Sequence, residues 1–498
     1  MSRAQKNNQE GKGTFKEVLN EIKFLEPVVS DIHSGMNTVW HQEVIQIDSV
    51  LKIQETVRRA KKQGLAIAIC GGRHAMGGQQ FAHAGVLLNM RSFDRVLRFD
   101  SIQGTIKVQA GIIWSDLIER LGDLQIDAPR KERWSIIQKP TGADNLSIGG
   151  CLSSNIHGRG LTLKPFVDDI EEFELINHEG ELITVSRGKN TELFRIAVGG
   201  YGLFGIIVSV TLKLRKTSLM RRYVKKVKIS DLMNQFNELI EDGHEYGDCQ
   251  FAIDNDAEDF LRTGILASYK KVADYPETTE QENFSGENEK KVLSLEQWKE
   301  LLCLAHCDKS GAFDKYLNHY LETDGQLYFS DTMQLSVYMD DYHEDLDRLL
   351  DTPKASEIIT ELYVPRDRLV DLMESVRDLF IKEKVDLIYG TIRLIRKDEE
   401  TYLAWAKRDY VCVIFNLHTE HGSDGITRGA NVFRKLIKIA GALQGSFYLT
   451  YHRYADKIDL DQCYPQFKDF LELKLKYDPE ELFQSQWYRH YRDLYKRA

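Results

Sequence analysis

The sequence predicts an α+β fold, and three observations along its 498 residues lead to this prediction. In the first part of the chain, short β-branched runs alternate with amphipathic helical stretches. Glycine-rich segments follow several of these runs. In the last third, strand-like runs separated by amphipathic helices predict an antiparallel sheet with helices on one face. We therefore expect two domains.

The first elements can be assigned in order. A helix is expected over residues 49–63, because Asp48 or Ser49 can cap it and Gly64 can end it. A second helix is expected over 117–121, capped by Ser115 or Asp116. Strands are expected at 65–70, 85–90 and 106–110.

The first glycine-rich segment, residues 71–79, reads GGRHAMGGQ and follows the apolar run that ends at Cys70. Glycine has no Cβ, so this loop can approach a ligand closely, and successive backbone N–H groups can bind anionic oxygens. Arg73 adds positive charge. The second segment, 140–160, contains glycines and small hydroxyl residues that can run closely past a flat or phosphorylated ligand.

The third segment contains a G-x-G-x-x-G pattern at Gly200, Gly202 and Gly205. A dinucleotide fingerprint needs a strand before the glycines and a helix after them. Here a helix is expected before them, at 191–198, and a strand after them, at 206–214. The pattern is therefore not a Rossmann motif, and tight NAD binding without flavin would be needed to revive that interpretation.

Composition limits the possible partners. The net charge of −10 argues against nucleic acid and against an anionic membrane as main partner. No apolar run is long enough to cross a bilayer, and the polar start of the chain does not resemble a signal peptide. The seven cysteines lack metal-ligand spacing and are expected to be reduced thiols in a cytoplasmic protein without a metal site. Residues 1–13 are expected to be a disordered tail and 269–294 an exposed acidic loop.

The last third is expected to contain strands at 358–364, 387–395, 410–419 and 446–454, and a helix at 368–379. Period-2 alternation places Tyr389, Thr391 and Arg393 on one strand face, and Asn416 and His418 on one face of the next strand. In 446–454, His452 should face away from Tyr451. Any of these polar faces could equally be solvated.

The three glycine segments together resemble the flavoprotein superfamily of vanillyl-alcohol oxidase type, which includes cytokinin dehydrogenase and the alditol, gulonolactone and decaprenylphosphoryl-ribose oxidases. The residues that carry the resemblance are GGRHAMGGQ at 71–79, SIGGCLSSNIHG at 147–158 and GGYGLFGI at 199–206. ELYVP at 361–365 resembles a strand motif of the family's cap, and YDPEELF at 477–483 resembles its C-terminal segment.

The resemblance implies an FAD-binding domain of PCMH type over residues 14–216, a substrate-binding cap over 217–445 and a segment, 446–498, that returns to the FAD-binding domain. The FAD pyrophosphate would lie on the first loop and the isoalloxazine ring along the second. The implied cofactor-binding residues are Cys70, Gly71, Gly72, Arg73, His74, Ala75, Gln79, Pro140, Gly142, Ser147, Gly149, Gly150, Ser153, Ser154, Ile156, His157, Gly158, Gly202, Gly205 and Ile206.

His74 occupies the position at which many relatives bind the flavin 8α-methyl covalently. The alternative is a loop histidine that contacts phosphate, because some relatives carry tyrosine at this position and bind FAD non-covalently. Relatives with a second, cysteinyl bond carry cysteine near Ala143. Because Cys151 is offset from that position, we expect one covalent bond at most. His157 resembles a histidine beside the flavin, or it makes a structural hydrogen bond.

The implied reaction moves a hydride from an alcohol or sugar-like CH–OH group to flavin, with oxygen, a quinone or a protein as the open choice of electron acceptor. Tyr451, His452 or His418 would accept the hydroxyl proton. Arg393, with Asn416 nearby, would bind an anionic group of the substrate or stabilise the negative charge of the reduced flavin. The family's Glu-x-Arg pair reads Thr391-Ile-Arg393 here, and a lysine functional in one relative is absent. A flavin-bound scaffold or sensor without turnover is therefore the alternative.

Overall fold

The computed structural model describes residues 27–273, 291–336 and 342–496. The predicted tail at 1–13 lies outside the described residues, as does most of the predicted loop at 269–294. No helix within the described ranges is long and apolar enough to cross a membrane.

The described residues begin at 27 with a short hairpin, which is followed by a three-stranded parallel sheet. Its strand order is β3-β5-β4, and helix α1 follows β3. Ser49 caps α1 by accepting a hydrogen bond from Lys52 N at 3.4 Å, and Gly64 ends it at φ +66°. Both ends were predicted. The elements are β1 (Val28–Val29), β2 (Val39–Trp40), β3 (Glu43–Gln46), α1 (Val50–Gln63), β4 (Ile67–Cys70) and β5 (Val86–Asn89).

A second, antiparallel sheet has the strand order β10-β9-β11-β7-β6, and β8 pairs with β11 outside this path. Helix α2 begins at Trp114, so the predicted start after Asp116 is wrong; Ile113 occupies the cap position without a side-chain bond. The elements are β6 (Val96–Asp100), β7 (Thr105–Gln109), α2 (Trp114–Asp123), β8 (Trp134–Ile136), α3 (Ile148–Ser154), β9 (Ile170–Ile176), β10 (Leu182–Ser186), α4 (Thr191–Ala197) and β11 (Ile206–Lys216).

The second and third glycine segments differ in the secondary structure around them. The third lies between α4 and β11, in the predicted order of helix, glycines and strand. The dinucleotide interpretation therefore fails on structural context. The second segment contains the short helix α3, which the sequence analysis did not predict.

An eight-stranded antiparallel sheet, here called the cap sheet, has the order β15-β12-β14-β13-β17-β18-β16-β19. The antiparallel sheet was predicted, but helices cover both faces rather than one. A Cβ on Gly429, in the helix Ser423–Ala442, would lie 3.2 Å from Ile358. His306, in the helix Leu295–Cys307, contacts Glu357, whose side chain points to the other face. The strands are β12 (Leu219–Lys228), β13 (His244–Phe251), β14 (Thr263–Lys271), β15 (Leu327–Phe329), β16 (Ala355–Pro365), β17 (Leu387–Ile395), β18 (Tyr410–Glu420) and β19 (Ser446–Phe447).

The helices of this region are α5 (Leu232–Glu241), α6 (Leu295–Cys307), α7 (Lys309–Glu322), α8 (Tyr342–Leu350), α9 (Leu369–Glu383) and α10 (Ser423–Ala442). The predicted last strand, 446–454, is wrong beyond Phe447, because residues 448–454 form turns and irregular chain rather than a strand. The two-residue alternation expected there therefore does not set which side chains share a face.

The closing segment packs against the edge of the parallel sheet. Ile67 N donates to Leu482 O at 2.7 Å, and Gln484 N donates to Ile67 O at 3.0 Å. These bonds extend the edge of β4 by one short bridge, at Phe483. The last helices are α11 (Lys457–Cys463), α12 (Phe467–Tyr477) and α13 (Gln486–Lys496).

Candidate functional site

A cavity of about 810 Å³ separates the glycine segments from the cap sheet. All the residues assigned to cofactor binding from the sequence line it, except Cys70, Gly158 and Ile206. Cys70 is buried at the end of β4, where burial raises the pKa of its thiol to about 12. Ile206 lies in the core, and its neighbour Ile207 reaches the cavity instead.

The glycines serve two purposes at this wall. A Cβ on Gly71 would collide with the Ser147 side chain, so the first two glycine segments pack directly on each other. A Cβ on Gly142 would instead meet nothing within 4 Å, and its φ of +84° disfavours any side chain. Gly142 therefore leaves the cavity open.

The wall also offers acceptors to a ligand. The side-chain amide nitrogens of Gln79 and Gln80 donate to Leu449 O at 2.9 Å and to Ala75 O at 2.6 Å. Their Oε1 atoms are buried without a partner among the described residues. A ligand with hydroxyl or N–H donors would satisfy both oxygens. The residues present thus fit a large, flat ligand with polar groups.

His74 lies in the cavity wall and contacts a second histidine. Its Nδ1 lies 2.9 Å from Nε2 of His33, a hydrogen bond whose direction depends on the tautomers. Burial lowers the pKa of His74 well below its usual value, so the imidazole is neutral at physiological pH. The neutral imidazole is the protonation state of histidine that can act as a nucleophile.

Glu361 is the most elaborately held group in the cavity, and the sequence analysis gave it no role. Its carboxylate is 2% exposed and lies on β16 among apolar residues. Its Oε1 lies 2.5 Å from His157 Nε2 and accepts from the Tyr363 hydroxyl and, at 3.2 Å, from the Cys412 thiol. The Tyr451 hydroxyl donates to Oε2 at 3.2 Å.

These contacts determine the charge state of Glu361. Burial opposes ionisation, but the His157 charge and the surrounding donors lower the pKa of Glu361 to about 2. His157 Nδ1 lies 3.0 Å from Gly158 O, which can only accept. The ionised carboxylate also only accepts, so each ring nitrogen of His157 faces an acceptor. A lone carboxylate in the apolar run 358–364 was the available sequence signal.

The cap sheet forms the opposite wall with alternate residues of four adjacent strands. Gln250, Thr391, Ile414 and Glu361 lie side by side across β13, β17, β18 and β16. All four line the cavity, as do Tyr389, Arg393 and Asn416. The predicted shared face of Tyr389, Thr391 and Arg393 is therefore observed, and this face points into the cavity rather than into bulk solvent.

The structure separates the three residues predicted as the proton acceptor. Tyr451 lines the cavity, whereas His418 and His452 do not. His452 is 7% exposed, and burial lowers its pKa to about 4. His418 lies on the sheet face of Asn416, as predicted, but it belongs to a separate cluster around Glu357. Irregular chain after β19, rather than strand alternation, places Tyr451 in the cavity.

Two family models match separate parts of the chain. The model described as FAD binding domain matches residues 42–186, and the model described as D-arabinono-1,4-lactone oxidase matches residues 329–491. The first model covers the glycine segments at 71–79 and 140–160, and the second extends from before β16 into α13. The chain therefore carries an FAD-binding domain, and FAD is its cofactor.

Curated relatives match the chain over about a third of its length. An uncharacterized oxidoreductase, ORF5 in the fasciation locus of Rhodococcoides fascians, is 32% identical over 166 residues, which are 33% of this chain and 36% of that protein. Cytokinin dehydrogenase 1 of Arabidopsis thaliana is 28% identical over 37% of this chain and 31% of its own. The mitochondrial L-galactono-1,4-lactone dehydrogenase of the same plant is 26% identical over 38% and 30%.

Proposed function

We propose that this chain, which belongs to the vanillyl-alcohol oxidase superfamily of flavoproteins with a PCMH-type FAD-binding domain, is an oxidoreductase that takes a hydride from a CH–OH group of a small polar substrate. The observation that carries the proposal is the Glu361 carboxylate. It is held between His157, from the FAD side of the cavity, and Tyr451, which faces the substrate side.

FAD would be held by the two glycine segments, with 71–79 near the pyrophosphate and 140–157 along the ring system. Bound there, FAD supplies the hydride acceptor. His74 would hold it covalently through the 8α-methyl carbon, a role supported by its neutral, buried imidazole and its contact with His33.

Tyr451 is our candidate to receive the hydroxyl proton of the substrate. Burial and the Glu361 charge raise the pKa of Tyr451 well above its usual value, so its phenolate is not populated at rest. Its hydroxyl can accept the substrate proton while passing its own proton to Glu361 Oε2, 3.2 Å away. Because the pKa of Glu361 is about 2, the carboxylate accepts this proton as the hydride leaves, when the substrate hydroxyl becomes strongly acidic. This relay leaves Tyr451 neutral and moves one proton to the carboxylate.

The remaining wall supports a hydroxyl-rich substrate, such as a sugar or polyol. Thr391 Oγ1 and Arg393 Nε are buried and have no hydrogen-bond partner among the described residues. Together with Asn416 they line the cavity beside Glu361. Donors left unpaired in this way select substrates that can hydrogen-bond to them.

Anaerobic mixing of the FAD-loaded protein with a panel of polyols, aldoses and aldonolactones tests this function. We expect at least one compound to bleach the visible flavin absorbance at a rate that saturates with concentration. If none of them bleaches a flavin that dithionite reduces readily, the non-catalytic scaffold or sensor becomes the better interpretation. Readmission of oxygen or addition of a quinone then identifies the electron acceptor.

A further inference from the structure

A cluster of imidazole and carboxylate groups lies beside the cavity and has no part in the proposed reaction. His306 Nε2, from α6, lies 3.5 Å from Oε1 of Glu357 on β16. His418 Nδ1, from β18, lies 3.6 Å from the same oxygen. All three atoms lie within 4.8 Å of one another.

None of these three atoms makes a hydrogen bond with the described residues, although each is buried. The side chains of His306, Glu357 and His418 are only 4%, 14% and 18% exposed. A buried polar atom without a partner costs about 1–3 kcal/mol. Three such atoms that converge on one point therefore indicate a bound group between them.

The spacing suits a small cation. Tetrahedral Zn²⁺ with bonds of about 2.0–2.2 Å places its donor atoms roughly 3.3–3.6 Å apart. A second cluster, formed by His157, Glu361 and Cys412, shows the contrast. There His157 Nε2 is 2.5 Å from Glu361 Oε1, a direct hydrogen bond that leaves no room for an ion.

The outer contacts also orient Glu357 for this role. Its Oε2 accepts from the Tyr342 hydroxyl at 2.6 Å and from His343 Nε2. These two donors occupy one carboxylate oxygen and leave Oε1 directed at the imidazoles of His306 and His418. Such outer hydrogen bonds commonly fix the orientation of metal-binding carboxylates.

We propose that His306 Nε2, His418 Nδ1 and Glu357 Oε1 bind a divalent transition-metal ion of the Zn²⁺ class. Two imidazoles with one carboxylate favour Zn²⁺ over Mg²⁺ or Ca²⁺, which prefer oxygen ligands alone. Water completes the coordination. The ion joins α6 to β16 and β18, and it can enter from the cavity, which Glu357 and His343 line.

The direct test is calorimetric titration of chelator-stripped, FAD-loaded protein with Zn²⁺. We expect one equivalent to bind to the wild type and none at this affinity to His306→Gln or His418→Gln. His178→Gln is the matched control, because the His178 side chain has the same 18% exposure as His418 but lies far along the chain from the cluster. Its Zn²⁺ binding should equal that of the wild type.

Unfolding temperature gives a second measurement that does not depend on turnover. Zn²⁺ should raise it for the wild type and the control but not for the two cluster variants, because only the folded site binds the ion. The flavin content of each variant shows whether it is folded. Co²⁺ should give the visible bands of a tetrahedral site in the wild type and in the control, but not in the two cluster variants.

Two outcomes would overturn the proposal. One is a wild type that binds no Zn²⁺ after chelator removal. The other is Zn²⁺ binding that survives in folded His306→Gln but is lost when Cys303 and Cys307, one helical turn apart on α6, are both replaced by serine. That result would assign the ion to the thiol pair.

Discussion

His157 Nε2 lies 2.5 Å from Glu361 Oε1, although 204 positions separate the two residues in the chain. His157 belongs to the second glycine segment and Glu361 to the cap sheet. Their contact therefore joins the glycine-segment wall of the cavity to the cap-sheet wall. Both side chains are almost completely buried, at 4% and 2% exposure, so solvent screens the pair only weakly.

Replacing Glu361 with glutamine should slow flavin reduction by substrate about 10²- to 10⁴-fold, because the proton relay loses its final acceptor. Glutamine keeps the volume of the side chain. Anaerobic stopped-flow absorbance measures the rate. Glu174→Gln is the control, since Glu174 pairs with Lys107 at 2.9 Å outside the cavity. The flavin of this variant should be reduced at the wild-type rate. Equal rates in the two variants would contradict the role of Glu361.

Tyr451→Phe removes the hydroxyl that links substrate to Glu361. We expect reduction to slow by about 10²-fold or more, with little change in FAD content, because the ring remains. The control is Tyr464→Phe, which removes a buried tyrosine hydroxyl that donates to Phe447 O and lies outside the cavity lining. If the flavin of Tyr451→Phe is reduced at the wild-type rate, Tyr451 is not the proton acceptor.

His74→Ala should convert covalent flavin to dissociable flavin. After acid precipitation, we expect the wild-type pellet to stay yellow and the variant to release its colour into the supernatant. His83→Ala, a nearby histidine outside the cavity lining, should behave as the wild type. Release of flavin from the wild type itself would leave FAD in place as cofactor but remove the covalent bond.

Acid should destabilise the protein through its buried histidines. Burial lowers the pKa of His33, His41 and His452 to about 4. Between about pH 6.5 and 4 the unfolded chain therefore binds protons that the folded chain does not, and stability falls as the pH falls. Urea unfolding at pH 7 and pH 5 measures how much free energy of unfolding is lost on acidification. This loss should be smaller for His41→Gln than for the wild type. An equal loss would exclude a contribution from His41.

The closing segment depends on a buried ion pair between Lys474 and Asp478, which are 0% and 1% exposed. Asp478 also accepts from Leu482 N at 2.9 Å and Phe483 N at 2.8 Å. Lys474→Met leaves this carboxylate buried and unpaired, which should cost about 3–5 kcal/mol in the free energy of unfolding.

The exposed pair Lys457–Asp461 provides the control for this change, at a distance of 2.7 Å with side chains 34% and 46% exposed. Lys457→Met should cost no more than about 1 kcal/mol, because water screens the pair. Chemical denaturation measures both variants. Similar losses in the free energy of unfolding of the two variants would mean that the buried pair stabilises the protein no more than the exposed pair.

Local pattern was sufficient for the elements whose own residues specify them. The caps at Ser49 and Gly64 defined α1, and β-branched runs defined β17 and β18 closely. Prediction failed where distant contacts decide the conformation. Residues 448–454 alternate like a strand, yet only Ser446–Phe447 pairs with β16, and the chain then turns toward the glycine loop, where Gly77 N donates to Thr450 O at 3.1 Å.

The sequence by itself determined where the glycine-rich loops lie and which residues form the polar face of β17, because glycine spacing and strand alternation are local properties. Only the tertiary structure decided which groups meet. Glu361 became a candidate because β16 brings it to His157, and His306, Glu357 and His418 converge although no short spacing links them. Ion pairs and metal sites depend on distances between atoms, and chain order does not constrain those distances for residues on different elements.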